Sequence, residues 1–232
     1  MRLAAPLAAL LLVVALPACK KDAPSAPLPG PAPVAAPAAT VNEAPATAAC
    51  SWSAEHADVA NWRTLVQADD PSFGPADAKV TVVEFFEPNC PFCARLAPTM
   101  AKVQETHPDV RFVYKPVVFW PVSSLQAQAL SAAHADGKFL PFLAEQFRQH
   151  SEQTGLTDAQ VRAIAAQVGM DPEATMQRIN TGTYRAKMLA NRADFAGTGN
   201  DAVPLVLING KVMGKEQSTG CFDQLLAEQA GT

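Results

Sequence analysis

Histidine is scarce in this 232-residue sequence. The four present, His56, His107, His134 and His150, show no ligand spacing among themselves, so they do not supply the imidazoles that a zinc centre would need beside a pair of cysteines. Charge of one sign is not in excess either: 18 basic and 22 acidic residues are interspersed and the formal net charge is −4. A polyphosphate partner such as nucleic acid is therefore not expected. The chain has no internal repeat, and beyond its first residues it has no apolar run long enough to cross a bilayer. Only five cysteines occur, Cys19, Cys50, Cys90, Cys93 and Cys221, and most of the chemistry lies in them.

Met1-Arg2 gives a short positive start, and Leu3 to Leu16 form an apolar stretch of signal-peptide length, too short to span a membrane. Leu16-Pro17-Ala18-Cys19 resembles the lipobox of bacterial lipoproteins, which implies a signal peptide over 1–18 and acylation of Cys19 as the first mature residue. The alternative is an ordinary secretory signal followed by a free Cys19. Either reading implies export. Lys20 after the lipidated residue points to the outer membrane under the sorting rule of such lipoproteins. From Lys20 to Ala49, 18 of the 30 residues are Pro or Ala and none is aromatic. Such a segment cannot bury enough surface to offset its ordering entropy. Residues 19–49 are thus expected to form a tether, reaching at most roughly 90 Å at about 3.1 Å per residue. It would hold a domain of residues 50–232 in the periplasm.

Within that domain, loose helical spacing from Trp52 to Gln67 predicts an N-terminal helix, ended by Asp70-Pro71 and Gly74-Pro75. Lys79 to Glu87 (KVTVVEFFE) reads as a strand buried on both faces, Pro91 to Thr106 as a helix, and Val110 to Val118 as a second strand. Helices are expected near 124–135, 139–150, 158–168, 172–180 and 184–196. Capping-box patterns at Ser123/Gln126 and Thr157/Gln160, and Asp171-Pro172, mark three of their starts. Strands at 203–209 and 211–214, turned at Gly210, and a helix from Thr219 to Gln229 complete the order.

Cys90 and Cys93 stand where the first strand gives way to the first helix. As a staple the pair is weak, since closing so short a loop contributes roughly 2 kcal/mol. A Cys50–Cys221 bridge would close most of the domain, for roughly 5 kcal/mol. As metal ligands the two thiols lack further partners. The redox reading has positive support. Pro91 suits the first helical position, so Cys90 should face unpaired N–H groups and the positive end of the helix dipole, which favours thiolate. Cys93, one turn further in, is placed to act as the resolving thiol.

With these elements in hand, the stretch EFFEPNCPFCARLAP resembles the thioredoxin superfamily and, within it, the DsbA-like periplasmic thiol-disulfide oxidoreductases. The resemblance implies an α/β thioredoxin-like fold with a helical insertion, about 122–200, between its βαβ and ββα halves. It implies a buried acid beneath the pair at Glu84, a kinked active-site helix at Pro98, and a cis-proline loop at Val203-Pro204 beside the reactive sulfur. Glu84 would relay protons, or else sit on an edge facing water; Pro204 could otherwise simply begin a strand. Phe92, more than Phe119 or Trp120, would touch unfolded substrate. The dipeptide between the cysteines is Pro-Phe, not the Pro-His of the strongest oxidants, so the Cys90 pKa is expected between about 3.5 and about 7. Cys50 and Cys221 stand outside the shared pattern, either as a structural disulfide, as a second redox pair, or with Cys221 reactive on its own.

The expected protein is a monomeric, lipid-anchored enzyme that exchanges disulfides with exported cysteine-containing proteins, as an oxidase. It would need no metal or organic cofactor, its Cys90–Cys93 disulfide being the reagent, and a membrane redox partner would reset it. A dedicated reductase, for apocytochrome thiols for example, is the nearest alternative. A thioredoxin-like Cu(I) chaperone is another, with only scattered methionines to favour it.

Overall fold

The computed structural model describes residues 50–231. The expected signal peptide 1–18, Cys19, the tether 19–49 and Thr232 lie outside the described residues.

The described chain runs β1 (Ser72–Phe73), β2 (Thr81–Phe86), α1 (Pro91–Thr106), β3 (Arg111–Pro116), then α2 (Ser124–Ala135), α3 (Phe139–Arg148), α4 (Asp158–Gln167), α5 (Pro172–Asn180) and α6 (Arg185–Gly197). It returns through β4 (Leu205–Ile208) and β5 (Lys211–Val212) to α7 (Thr219–Ala230). The sheet order is β1-β3-β2-β4-β5, with β2 and β3 parallel and the other pairings antiparallel. Every residue of β2 is buried, as the unbroken apolar centre of TVVEFF requires of a central strand. This is the α/β thioredoxin-like architecture, with a helical block between its two halves.

Alternation along the strands divides the core in two. Val82 and Phe86 of β2 share one face with Phe112, Tyr114, Val206 and Ile208, and helices α1, α7 and the helical block cover it. Val83 and Phe85 point the other way, into a smaller cluster with Val59, Trp62, Leu65 and Phe195. The β4–β5 hairpin turns on Asn209-Gly210, both at positive φ (49° and 88°), the pairing a two-residue type I′ connection requires. A side chain at residue 210 would also strike Trp62, 2.3 Å from the position of its Cβ.

Three expectations need correction. The predicted helix from Trp52 to Gln67 is a single 3-10 turn, Trp62–Leu65, because the chain before it is drawn onto the sheet edge: Trp52 forms an antiparallel bridge with Met213. The capping box forms at Thr157/Gln160, and Asp171 caps α5, but Ser123 makes no cap bond to α2. Its side chain and that of Gln126 are used elsewhere, as described below. Phe119 is half-buried, packs edge-on against Phe195 with centroids 5.2 Å apart beside the smaller core cluster, and does not line the groove described below.

Candidate active site

Cys90 is the N-cap of α1, in extended conformation (φ −71°, ψ 122°), with Pro91 at the first helical position and no side-chain cap bond. The cap position leaves the first-turn N–H groups of Phe92 and Cys93 free to serve the sulfur of Cys90. Cys90 and Cys93 are both free thiols. The Cys93 thiol, together with those N–H groups, holds the Cys90 pKa down to about 6, well below the ordinary thiol range. Burial drives the Cys93 pKa far upward, and the neighbouring Cys90 sulfur adds to the rise. The two thiols are thus separated in role: one ionises at neutral pH and the other keeps its proton. Cys90 retains 5% exposure and Cys93 none.

Glu84 lies on β2, six residues before Cys90, paired across to Tyr114 on one side and Val206 on the other. The strand is central and the side chain is 2% exposed, which excludes the edge position facing water. Its Oε1 has no hydrogen-bond partner, and desolvation raises its pKa to about 8. A cavity of about 480 Å³ adjoins it, lined also by Gln104, Tyr114 and Phe147.

The Val203–Pro204 peptide bond is cis, and the carbonyl of Val203 lies 3.9 Å from the sulfur of Cys90. Beside it opens a groove of about 700 Å³, lined by Phe92, Arg95, Val203, Pro204 and the 213–218 loop among others. Phe92 is 61% exposed, with the Arg95 guanidinium 4.3 Å from its ring centre. Pro98 lies inside α1, one turn past these residues. Trp120, 40% exposed, is not part of the groove lining. Cys50 and Cys221 are bonded to each other, with Cα atoms 5.2 Å apart.

A buried polar network beneath the loop 87–90 escaped the sequence reading. Asn89 donates through Nδ2 to Gln126 Oε1 (2.7 Å) and Ser123 Oγ (2.9 Å), and Gln126 Nε2 donates back to Asn89 Oδ1 (2.8 Å). The backbone N–H of Leu156 reaches Gln126, and that of Ser151 reaches Asn89. Glu87, fully buried, accepts from the N–H of Asn89 at 2.6 Å; burial raises its pKa against the pull of Ser123 and that N–H. These bonds tie the residue before Cys90 to the helical block. The available signal was a run of polar residues, Glu87 and Asn89, in an otherwise apolar setting next to the first cysteine.

Among the described residues, no cluster of three or more His, Cys, Asp or Glu side chains could hold a metal ion, and no helix is long and apolar enough to cross a membrane.

Comparison with known proteins points the same way as the geometry. The Thioredoxin family model matches residues 67–228. The chain is 28% identical over 152 residues to the thiol:disulfide interchange protein DsbA of Burkholderia cepacia, covering 63% of this chain and 70% of that one. It is 26% identical over 140 residues to the Na(+)/H(+) antiporter NhaA of Herminiimonas arsenicoxydans, covering 60% of this chain but only 22% of the antiporter. The chain thus spans about a fifth of the antiporters it matches. Among solved structures, oxidised BdbD from Bacillus subtilis superposes with a TM-score of 0.64 at 22% identity, over 71% of this chain and 94% of that one.

Proposed function

The chain belongs to the thioredoxin family, and on that premise we propose that it is a DsbA-like thiol-disulfide oxidoreductase that donates its Cys90–Cys93 disulfide to exported proteins. The observation that carries this reading is the split between the two thiols: Cys90 at a helix N-terminus with its pKa lowered to about 6, Cys93 buried with its pKa raised.

A client thiolate attacks the sulfur of Cys90, the Cys90–Cys93 bond breaks, and Cys93 leaves with the electron pair. Glu84, still protonated at pH 7 because its pKa is about 8, is the internal acid placed to supply the proton that Cys93 takes up. The cavity beside Glu84 offers it a route to exchange that proton with solvent. A second client thiol, after giving up its proton, then attacks the client sulfur of the mixed disulfide and expels Cys90 as thiolate. The client has gained a disulfide and the enzyme holds the two electrons. A membrane redox partner accepts them and restores the Cys90–Cys93 bond. During the exchange the client backbone pairs alongside Val203-Pro204, with Phe92 beneath its side chains.

The N-terminal sequence supports export through a signal peptide over 1–18, lipidation at Cys19, and a 19–49 tether. These would place residues 50–232 in the periplasm as a monomer anchored to the outer membrane. No metal or organic cofactor enters the reaction.

Equilibration of the full chain in glutathione buffers tests the proposal. A Cys90 pKa of about 6 falls between the strongest oxidant and thioredoxin, so a potential between about −120 and −270 mV is expected. A pair that ignores glutathione and titrates with Cu(I) contradicts it.

A further inference from the structure

The segment that sequence periodicity assigned to a helix ends up beside the groove, held there by several contacts. The N–H of Ser53 donates to Val212 O at 2.8 Å and that of Gly214 to Ser51 O at 2.9 Å, so residues 51–53 extend the sheet beyond β5. Contact there is close: a side chain at Gly214 would meet Ser51 O 2.6 Å from its Cβ. The disulfide from Cys50 to Cys221, in the first turn of α7, fixes the start of the segment, and Trp52 Nε1 donates to Glu228 of the same helix at 3.2 Å.

Beyond this anchor the chain bends. Ser53 Oγ accepts from the N–H groups of Glu55 (3.2 Å) and His56 (3.1 Å), and the Glu55 carboxylate pairs with Lys215 at 2.8 Å. Ser53, Glu55 and His56 thereby line the groove together with the Phe92, Arg95 and Val203-Pro204 surfaces. A small thiol needs only the sulfur of Cys90. An extended polypeptide whose cysteine lies at Cys90 and whose chain follows the groove meets both walls.

We propose that residues 50–56, held by the Cys50–Cys221 disulfide, are a specificity element: a preorganised wall that lets the groove prefer cysteine-bearing extended polypeptide over small thiols. The proposal rests on the reading of Cys90 as the exchanging sulfur. Holding the wall in place before binding removes an ordering cost that the polypeptide would otherwise meet. Cys50, Cys221 and Trp52 act here through the wall they position and take no part in the sulfur chemistry.

The test compares two substrates on the oxidised full chain: reduced glutathione and an unfolded peptide containing a pair of cysteines. For Cys50→Ser/Cys221→Ser, KM for the peptide should rise about tenfold, with kcat, the glutathione rate and the alkylation midpoint of Cys90 unchanged within about twofold. Trp52→Ala, which keeps the disulfide but removes the tie of the segment to Glu228 from outside the groove lining, should raise peptide KM about threefold and leave the glutathione rate alone. The second variant carries the test if the first does not fold. Peptide KM unchanged in Trp52→Ala and in every folded variant, or an equal loss with both substrates, overturns the proposal. A wild-type protein that exchanges with neither substrate overturns the redox function itself and not the wall.

Discussion

Two buried ionisable side chains on adjacent strands have opposite surroundings. Glu84 of β2 faces the larger core cluster, with an oxygen that has no hydrogen-bond partner, and its pKa is raised to about 8. Lys115 of β3 is just as buried but projects from the opposite face, where its ammonium lies 2.7 Å from Asp70 and 2.9 Å from Asp194, and donates to Leu65 O at 2.6 Å. Lys187 adds a second cation at 2.6 Å from Asp70. Burial without a partner makes a group that gains or loses a proton near neutrality. Burial with partners makes a joint, here between β3, the 62–70 segment and α6. The acid stands on the face of the thiols and the joint stands behind it.

The largest effect should come from breaking the joint. Lys115→Met strips the ammonium from Asp70 Oδ2, Asp194 and Leu65 O, leaving Asp70 only Lys187 at its other oxygen, and should cost about 3–5 kcal/mol in denaturant unfolding. The alkylation midpoint of Cys90 should stay near 6, because none of the groups that set it changes. A shift of that midpoint by a full pH unit would show that the two sites are coupled through the sheet.

Glu84→Gln tests the other half. The native acid binds a proton between the ordinary value of 4.5 and about 8, where the unfolded chain has released it. The native state therefore holds more protons in that window, and wild-type stability falls as pH rises across it. The Gln variant should lack this slope, and should be more stable than wild type at pH 8 by on the order of 2–4 kcal/mol. Exchange should slow by about 10²-fold, as the Cys93 leaving group loses its acid. Pairing Glu84 artificially with a lysine should likewise remove the slope.

A smaller change is expected from Asn89→Ala. It strands Gln126 and the N–H of Ser151, for about 1–3 kcal/mol, and loosens the loop that presents Cys90. Gln126→Leu should reproduce the stability loss, and a double variant should cost less than the sum, since the two amides bond each other. Smallest is Thr157→Ala, which removes the cap of α4 for about 1 kcal/mol and should leave both the Glu84 slope and the exchange rate untouched. Thermal or denaturant midpoints at pH 6 and pH 8 check all of these.

Legibility in the sequence followed the range of the forces involved. β2, α1 and the thiol pair are local features, and TVVEFF followed by Cys-Pro at a helix start could be read from a dozen residues. The cap at Thr157 was readable for the same reason. Ser123 and Gln126 carried an equally good capping pattern, yet their side chains went to Asn89, some 34 and 37 positions away. No local pattern reveals that competition. Trp52, Val59, Trp62 and Leu65 were correctly apolar and are buried or half-buried, but their spacing served a strand edge and a 3-10 turn against the sheet face rather than a helix. The sequence reading left Cys50 and Cys221 open among three roles, because a bond across 171 positions leaves no trace in either neighbourhood. Nothing in the residues around Lys115 marks it, because its acids come from the 62–70 segment and α6.

The sharpest measurement is the rate of iodoacetamide reaction at Cys90 in the reduced full chain as a function of pH. A thiolate held by the first turn of α1 and by the Cys93 thiol should give a rate that rises with a midpoint near 6, and Cys93→Ala should move the midpoint upward. A midpoint near about 8.5, the value of an unperturbed cysteine, would contradict the division of labour between the two sulfurs.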